Sequence, residues 1–343
     1  MLSTIFFGLL ANLWIVNAKL TGDNILYHSV FDRLNFSGQL EQRVAEAARQ
    51  ATLNILPLSA AARPEEPRPL SHLPAARDLR SLAPICESEA KHEVTADSAV
   101  VLDTETGTVL FKKDDKAPKS IASITKLATA LVFLDHNPGW EYVYEIRESD
   151  RREGSKVYLA VGERAKVKDL FYLSLVASAN TETVALVNST GLKMEEFVGL
   201  MNDKARELGL TDTVFKDAVG LDAGNVSTAL DVARLAKAAL EMEDIRQATI
   251  TKRHEFTTMS GNKISVDNTD KLLEVFAANP RIRIIGGKTG YTEEAGGCLA
   301  SKWSNESGHE VISVLLGGDD RISRFSETKS LVEWVYKNFR WPE

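Results

Sequence analysis

Runs of apolar, β-prone residues bounded by turn residues occur in two parts of the chain. Residues 98–103 form the first run, residues 104–107 read as a turn, and residues 108–111 form a second run, which together predict an antiparallel hairpin. Residues 297–301 and 309–316 form two further runs near the other end. The pattern therefore predicts strands at both ends of one region.

Apolar residues with helical spacing lie between and after these strands. The predicted helices span residues 122–135, 168–177, 194–208, 228–242 and 326–339. Gly209 is expected as a C-cap, Thr228 with Asp231 three residues later as an N-terminal cap, and Ser326 as the cap of the last helix. The order predicts an α+β fold, an antiparallel sheet built from both ends of the domain with a helical lobe against it.

The N-terminal residues carry a targeting pattern. Residues 5–16 are apolar apart from Asn12, and Val16 and Ala18 give the small-x-small character of a signal-peptidase site. About twelve residues is short of the ~20 that a spanning helix needs, which favours a cleaved signal over an anchor. No Lys or Arg precedes the run, so an uncleaved N-terminal membrane tether is the alternative.

A spacer is predicted between this segment and the globular region. Residues 38–56 have the pattern of one amphipathic helix, and six of the ten prolines follow between Pro57 and Pro84. The predicted organisation is a signal peptide or anchor at 1–18, a helix with a proline-rich linker at 19–91, and a catalytic domain at 92–343.

Composition excludes several classes of function. The 343 residues carry a net charge of −7 without clustered Lys or Arg, so nucleic acid is not expected as a partner. Cys86 and Cys298 have neither a metal nor a redox spacing; one disulfide or two isolated thiols are both open. The six histidines share no metal-site spacing, and neither a metal nor a cofactor is expected.

The first chemical motif is Ser123 with Lys126, at the start of the predicted 122–135 helix. Three residues apart on a helix, the two side chains share a face, and a buried lysine loses its charge readily and can accept the serine proton. This motif alone is weak, because a helix cap followed by a surface lysine has the same letters.

Two further motifs follow the first one, and the order of the three is informative. Ser178 and Asn180 stand in the break between two helical stretches, and Lys288, Thr289 and Gly290 lead into a strand. The order S-x-x-K, S-x-N, K-T-G is the signature of β-lactamases and penicillin-binding proteins. Three motifs in this order arise by chance far less often than one.

Over roughly residues 92–340 the chain resembles the low-molecular-mass penicillin-binding proteins, the serine D-alanyl-D-alanine carboxypeptidases of the β-lactamase/transpeptidase-like superfamily. Three longer strings add to the motifs, at residues 104–110, 215–222 and 287–296. The resemblance implies an exported enzyme that acts on peptidoglycan peptides ending in D-Ala-D-Ala and is acylated by β-lactam antibiotics.

The resemblance and the chemistry together assign the catalytic roles. Ser123 is expected to attack the carbonyl of the penultimate D-alanine, with Lys126 as general base and Ser178 relaying a proton to the leaving amine. Asn180 is expected to bond the substrate backbone and to fix Lys126. The backbone N–H groups of Ser123 and Tyr291 are the expected oxyanion hole.

The other expected residues bind the substrate terminus. Lys288 supplies positive charge for the carboxylate, the Thr289 hydroxyl can bond it directly, and Gly290 lets the peptide lie along the strand. Arg324 matches loosely an arginine that contacts the substrate terminus in relatives; a solvated surface arginine is the alternative.

Other serine hydrolases fit less well. His136 lies about three turns beyond Ser123 on the predicted helix, too far to act as its base. A class A β-lactamase needs a Glu-x-x-Leu-Asn string after the second motif, and none follows Ser178. A DD-endopeptidase that cuts peptide cross-links, and a non-catalytic penicillin-sensing or wall-binding module, stay open beside the carboxypeptidase.

Overall fold

The computed structural model describes residues 82–87, 91–277 and 279–342. The predictions for residues 1–18, for the helix at 38–56 and for most of the proline-rich spacer lie outside these residues. In the described part, no helix is long and apolar enough to cross a membrane.

The strands, in chain order, are β1 (Ile85–Cys86), β2 (Ser98–Asp103), β3 (Val109–Lys113), β4 (Lys119–Ser120), β5 (Val143–Glu145), β6 (Arg164–Lys166), β7 (Val226–Ser227), β8 (Arg253–Thr257), β9 (Lys263–Asp267), β10 (Ile282–Thr292), β11 (Gly296–Asn305), β12 (Glu310–Gly318) and β13 (Phe339–Arg340). The α-helices are α1 (Lys126–Asp135), α2 (Val167–Val176), α3 (Asn180–Ser189), α4 (Met194–Glu207), α5 (Ala229–Glu241), α6 (Glu243–Ile250), α7 (Leu272–Val275) and α8 (Ser323–Asn338). Short 3₁₀ helices span Ala122–Thr125 and Glu148–Asp150.

The central sheet confirms the predicted α+β architecture. Five strands pair antiparallel in the order β10-β11-β12-β2-β3, so β2 and β3 come from the start of the domain and the other three from its end. The predicted hairpin forms with its turn at 104–107, where Gly107 has a φ of 70°. β10 lies at one edge of the sheet, so one side of this strand has no partner strand among the described residues.

Helices cover both faces of the sheet. α8 packs on β11 and β12, and its Leu331, Val332 and Val335 are fully buried with Trp303 of β11. α5 packs on the opposite face against β2, β11 and β12, and joins the helical lobe of α1 to α4. Because both faces are covered, all six residues of β2 are buried, as expected for a strand between two layers.

Cap geometry agrees with the sequence at two predicted helix ends. Gly209 follows α4 with a φ of 68°, and the N–H of Leu210 reaches back to the carbonyl of Ala205 at 2.9 Å, as in a glycine-terminated helix. The Thr228 hydroxyl accepts the N–H of Asp231 at 3.1 Å at the start of α5. Both of these predicted caps are confirmed.

The last helix begins earlier than predicted, so the Ser326 cap was wrong. The Asp320 carboxylate accepts the N–H groups of Ile322 and Ser323, which satisfies free donors at a helix start three residues before Ser326. The Ser326 hydroxyl instead donates to the Ser323 carbonyl at 3.0 Å, within the first turn. The aspartate stands outside the amphipathic pattern, which is why the pattern misplaced the boundary.

Other elements were not predicted. β1 lies inside the predicted linker and pairs antiparallel with β13, through Ile85 with Arg340. The β8–β9 hairpin and α6 have no counterpart in the predicted elements. Cys298 is buried in the core, and burial raises the pKa of its thiol to about 11, whereas Cys86 is exposed.

Candidate active site

Ser123 and Lys126 face each other where a 3₁₀ helix passes into α1. The predicted single helix is divided, with Ser123 in the 3₁₀ turn and Lys126 as the first residue of α1. A 3₁₀ helix has three residues per turn, so side chains three apart are eclipsed. Lys126 Nζ accordingly lies 3.0 Å from Ser123 Oγ. Ala122, just before the serine, has a φ of 44°, a strained value of the kind found at functional sites.

The amine of Lys126 is buried and held from three sides. Besides Ser123, Nζ donates to Asn180 Oδ1 at 2.8 Å and to the carbonyl of Val219 at 2.7 Å. Burial lowers the pKa of Lys126 to about 7, against a smaller opposing effect from the Asp217 carboxylate. A substantial fraction of Lys126 is therefore a neutral amine near neutral pH, the form that can accept a proton.

Ser178 and Asn180 occupy the predicted break between two helices. α2 ends at Val176 and α3 begins at Asn180, and Ser178 between them has a left-handed φ of 56°. The side-chain Nδ2 of Asn180 donates to the Glu153 carbonyl at 2.8 Å. This bond orients the Asn180 side chain so that its Oδ1 accepts from Lys126.

Lys288 joins the second motif to the third. Its Nζ donates to Ser178 Oγ at 2.8 Å and to the carbonyl of Thr289 at 3.0 Å. Burial lowers its pKa well below the ordinary lysine value, and the charges of Lys126 and Arg324 lower it further. The third motif does not lead into a strand, as expected, but lies within one, in the middle of the edge strand β10.

Gly290 and Tyr291 follow on β10 beside the nucleophile. A Cβ on Gly290 would lie 2.9 Å from the carbonyl oxygen of Ile121 and 3.1 Å from the backbone nitrogen of Ser123, so a side chain would push the strand away. Tyr291 is half-buried, with the Arg321 guanidinium 4.1 Å from its ring centre. The oxyanion hole at Ser123 and Tyr291 stays a prediction.

Arg324 is not a solvated surface arginine. The side chain is buried on α8, and its Nη1 donates to the carbonyl of Gly290. Burial lowers the pKa of its guanidinium, yet an arginine stays charged in proteins. A permanent positive charge therefore lies at the third motif.

The loop at 215–225 is a part of the site to which the sequence assigned no role. The Asp217 carboxylate accepts the N–H groups of residues 219–222, which shapes the loop whose Val219 carbonyl holds Lys126. Gly220 has a φ of 84°, and a Cβ there would lie 2.0 Å from the Ala122 carbonyl oxygen. The string at 215–222 marked this loop through the resemblance alone.

Thr269 and Asp270 were also missed. The Thr269 hydroxyl lies 2.7 Å from the Thr289 hydroxyl, and the Thr269 N–H donates to the Val176 carbonyl at 3.0 Å, two residues before Ser178. Neither residue belongs to a motif, so no sequence signal pointed to them. His136, by contrast, is where the sequence placed it, at the far end of α1 with Nδ1 3.0 Å from the Val132 carbonyl.

A family model described as D-alanyl-D-alanine carboxypeptidase matches residues 85–320, more than half of the chain. The chain belongs to this family of S11 peptidases. The sequence-based resemblance is therefore confirmed at the level of the family, and with it the enzyme class, a serine peptidase related to penicillin-binding proteins.

Named relatives include both carboxypeptidases and endopeptidases. The D-alanyl-D-alanine carboxypeptidase DacF of Bacillus subtilis is 31% identical over 258 residues, which cover 74% of this chain and 64% of that protein. A D-alanyl-D-alanine endopeptidase of Pseudomonas aeruginosa is 31% identical over 249 residues, 71% of this chain and 78% of that one. The chain thus spans about two-thirds to three-quarters of these relatives.

A solved structure has the same fold. The Streptomyces K15 DD-transpeptidase superposes with a TM-score of 0.67 at 26% identity, covering 72% of this chain and 99% of that one. The predicted β-lactamase/DD-peptidase-like architecture of the family is confirmed.

Proposed function

We propose that the protein is a serine D-alanyl-D-alanine carboxypeptidase that hydrolyses peptidoglycan stem peptides through an acyl-enzyme on Ser123. The observation that carries this proposal is the buried Lys126 amine, 3.0 Å from Ser123 Oγ and with a pKa of about 7. A neutral amine at this distance can accept the serine proton as the hydroxyl attacks.

In the acylation step, Ser123 Oγ bonds to the carbonyl carbon of the penultimate D-alanine while its proton passes to Lys126. The C–N bond to the terminal D-alanine then breaks, and the leaving amine receives a proton through the Ser178 hydroxyl, which is bonded to Lys288 at 2.8 Å. The expected oxyanion hole at Ser123 and Tyr291 stabilises the negative oxygen in between.

The substrate terminus binds along β10. Its backbone adds to the open side of the edge strand, a mode that uses main-chain hydrogen bonds for affinity. Lys288 and Arg324 attract the terminal carboxylate, and the Thr289 hydroxyl bonds it. The pairing of Thr289 with Thr269 orients that hydroxyl.

Deacylation completes the cycle. The oxygen of a water molecule bonds to the ester carbonyl carbon and its proton passes to Lys126. The bond from that carbon to Ser123 Oγ then breaks, Oγ takes the proton back from Lys126, and the shortened peptide leaves as a carboxylic acid. The sequence has no Glu-x-x-Leu-Asn string after Ser178 to activate water against a penicilloyl ester. Penicillin is therefore expected to acylate Ser123 and remain attached.

A second candidate, a DD-endopeptidase, has one observation in its favour. A largely apolar cavity of about 800 Å³ adjoins the carboxylate end of the site and shares Thr269 and Arg324 with it. A free D-alanine leaving group does not need this space, whereas the acceptor peptide of a cross-link is large enough to use it. Release of D-alanine from monomeric stem peptide, compared with cleavage of cross-linked dimer, separates the two activities.

Because the proposed substrate lies outside the cytoplasm, the protein is expected in the periplasm or cell-wall space. The targeting pattern at residues 5–16 supports export, with either a cleaved signal or an N-terminal tether. Comparison of the N-terminal residue of the exported protein with Met1 tells these apart.

The test is release of D-alanine from a pentapeptide ending in D-Ala-D-Ala, measured with wild type and Ser123→Ala. Wild type is expected to release D-alanine and to bind labelled penicillin covalently, and the variant to do neither. Covalent binding without D-alanine release and without cleavage of cross-linked dimer would favour the non-catalytic penicillin-sensing module. Absence of both in the folded protein would overturn the proposal.

A further inference from the structure

A buried carboxyl group lies behind the third motif. Asp270 is only 3% exposed, and its Oδ1 accepts the N–H of Leu272 at 2.9 Å, at the start of α7. Its Oδ2 is buried without a hydrogen-bond partner among the described residues. Buried polar atoms are nearly always satisfied, so a carboxylate oxygen left in this way needs an explanation.

The unsatisfied oxygen lies against the substrate-binding strand. A Cβ on Gly287, the residue before Lys288, would lie 3.3 Å from Asp270 Oδ2, so the carboxyl packs on the backbone of β10. The N–H of Asp270 donates to Asn268 Oδ1 at 2.8 Å, and the adjacent Thr269 bonds Thr289. The carboxyl is therefore held in a fixed position.

Two buried basic side chains act electrostatically on this carboxyl without bonding it, Lys288 from β10 and Arg324 from α8. Burial raises the pKa of Asp270 to about 6. The hydrogen bond from Leu272 and the charges of Arg324 and Lys288 oppose this rise. In return, Asp270 raises the pKa of Lys288, against burial and the charges of Lys126 and Arg324. Asp270 is thus the carboxylate that opposes the loss of charge on Lys288.

Other charged groups also shift the pKa of Arg324, but none of them is a buried carboxylate like Asp270. Asp320 raises and Arg321 lowers the pKa of the guanidinium, and both side chains are exposed. The Cys298 thiol is neutral below its pKa of about 11. Arg324 Nε, like Asp270 Oδ2, is buried without a partner among the described residues.

We propose that Asp270 is a positioning residue of the active site, the fixed counter-charge behind the substrate-binding strand that favours the cationic form of Lys288. This inference rests on the proposed function, in which the charge of Lys288 attracts that carboxylate. Asp270 does not touch the substrate; it acts through Lys288.

The consequence is a characteristic pH dependence. Asp270→Asn keeps the shape and the bond to Leu272 but removes the charge, so the pKa of Lys288 falls. The alkaline decline of acylation by penicillin, which carries a carboxylate, then moves to lower pH. At acid pH, below the Asp270 pKa of about 6, Asp270 is largely protonated in wild type, so the variant is expected to react at about the wild-type rate.

The experiment measures the second-order rate of acylation by labelled penicillin from pH 5.5 to 10 on the full chain. The alkaline decline of Asp270→Asn is expected at least about half a pH unit below that of wild type. Asp267→Asn, an exposed aspartate paired with Arg253, is the matched control and should keep the wild-type profile. Asp270→Ser serves as a second neutral variant with the same expected shift.

An unchanged alkaline decline in the neutral variants would overturn the inference, as would a rate reduced by the same factor at every pH, which indicates a merely structural role. Asp270→Glu should restore the wild-type profile in part. Failure of wild type to be acylated at all would instead refute the proposed function, so the two failures are distinguishable.

Discussion

Lys126 Nζ lies 3.0 Å from Ser123 Oγ across the junction of a 3₁₀ helix and α1. This contact joins the nucleophile to a base of which burial keeps a substantial fraction neutral near pH 7. The chemistry proposed for the protein depends on that protonation state, and several measurements follow from it.

Replacing the base should slow acylation strongly. Lys126→Ala is expected to reduce the rate of acylation by labelled penicillin by about 10²–10⁴-fold, the usual contribution of a positioned general base. Lys116→Ala, at an exposed lysine on the loop before the nucleophile, is the control and should react as wild type does. Normal acylation of Lys126→Ala would contradict the role of Lys126.

The pH dependence of acylation should report the titration of Lys126. Because burial lowers its pKa to about 7, the amine is protonated and inactive below that pH and neutral above it. The acylation rate is therefore expected to rise as pH increases through about 7, as measured by stopped-flow with labelled penicillin between pH 5.5 and 8.5. A flat profile, or a rate that falls over this range, would argue against a lysine base.

A side chain at Gly290 should displace the substrate-binding strand from the nucleophile. Gly290→Ala places a Cβ 2.9 Å from the Ile121 carbonyl oxygen, and overpacking of this kind costs roughly 1–3 kcal/mol of unfolding free energy. The midpoint temperature of thermal unfolding and the rate of penicillin acylation should both decrease.

Gly199→Ala is the matched control for this substitution. Gly199 lies in α4 with nothing within 4 Å of an added Cβ, so the change should keep activity and raise stability by about 0.5–1 kcal/mol. Equal effects of the two substitutions would show that the close approach at Gly290 has no role.

Removing the buried guanidinium should weaken recognition of the substrate terminus. Arg324→Gln is expected to raise KM for a D-Ala-D-Ala peptide by roughly 10-fold or more, the scale of a charge-assisted hydrogen bond, with a smaller change in kcat. Arg321→Gln, at the exposed arginine over Tyr291, is the control. If both variants kept the wild-type KM, Arg324 would not bind the carboxylate.

Much of the site could be predicted because most of its catalytic and binding residues belong to short sequence motifs. The Ser123–Lys126 contact needs only a three-residue spacing on a helical turn. The break between two helices at Ser178 is visible in the local sequence pattern. The fold followed from strands at both ends of the domain. What the motifs did not supply is the position of Lys288 within an edge strand, because pairing depends on distant residues.

The remainder depends on tertiary packing. The Val219 carbonyl contacts Lys126 through a loop shaped by Asp217. Asp270 lies at the third motif because the segment before α7 packs against β10, where Thr269 bonds Thr289. No spacing in the sequence brings these residues together. The start of the last helix was misplaced at Ser326 for a simpler reason. The carboxylate of Asp320, which lies outside the amphipathic pattern, accepts N–H groups at the true helix start.

In the proposed mechanism, Ser123 carries the acyl group. The direct measurement is intact-protein mass spectrometry after incubation with penicillin, followed by peptide mapping of the modified residue. One penicilloyl group is expected, located on Ser123 and absent from Ser123→Ala. A modification on another residue, or one that persists in Ser123→Ala, would contradict it.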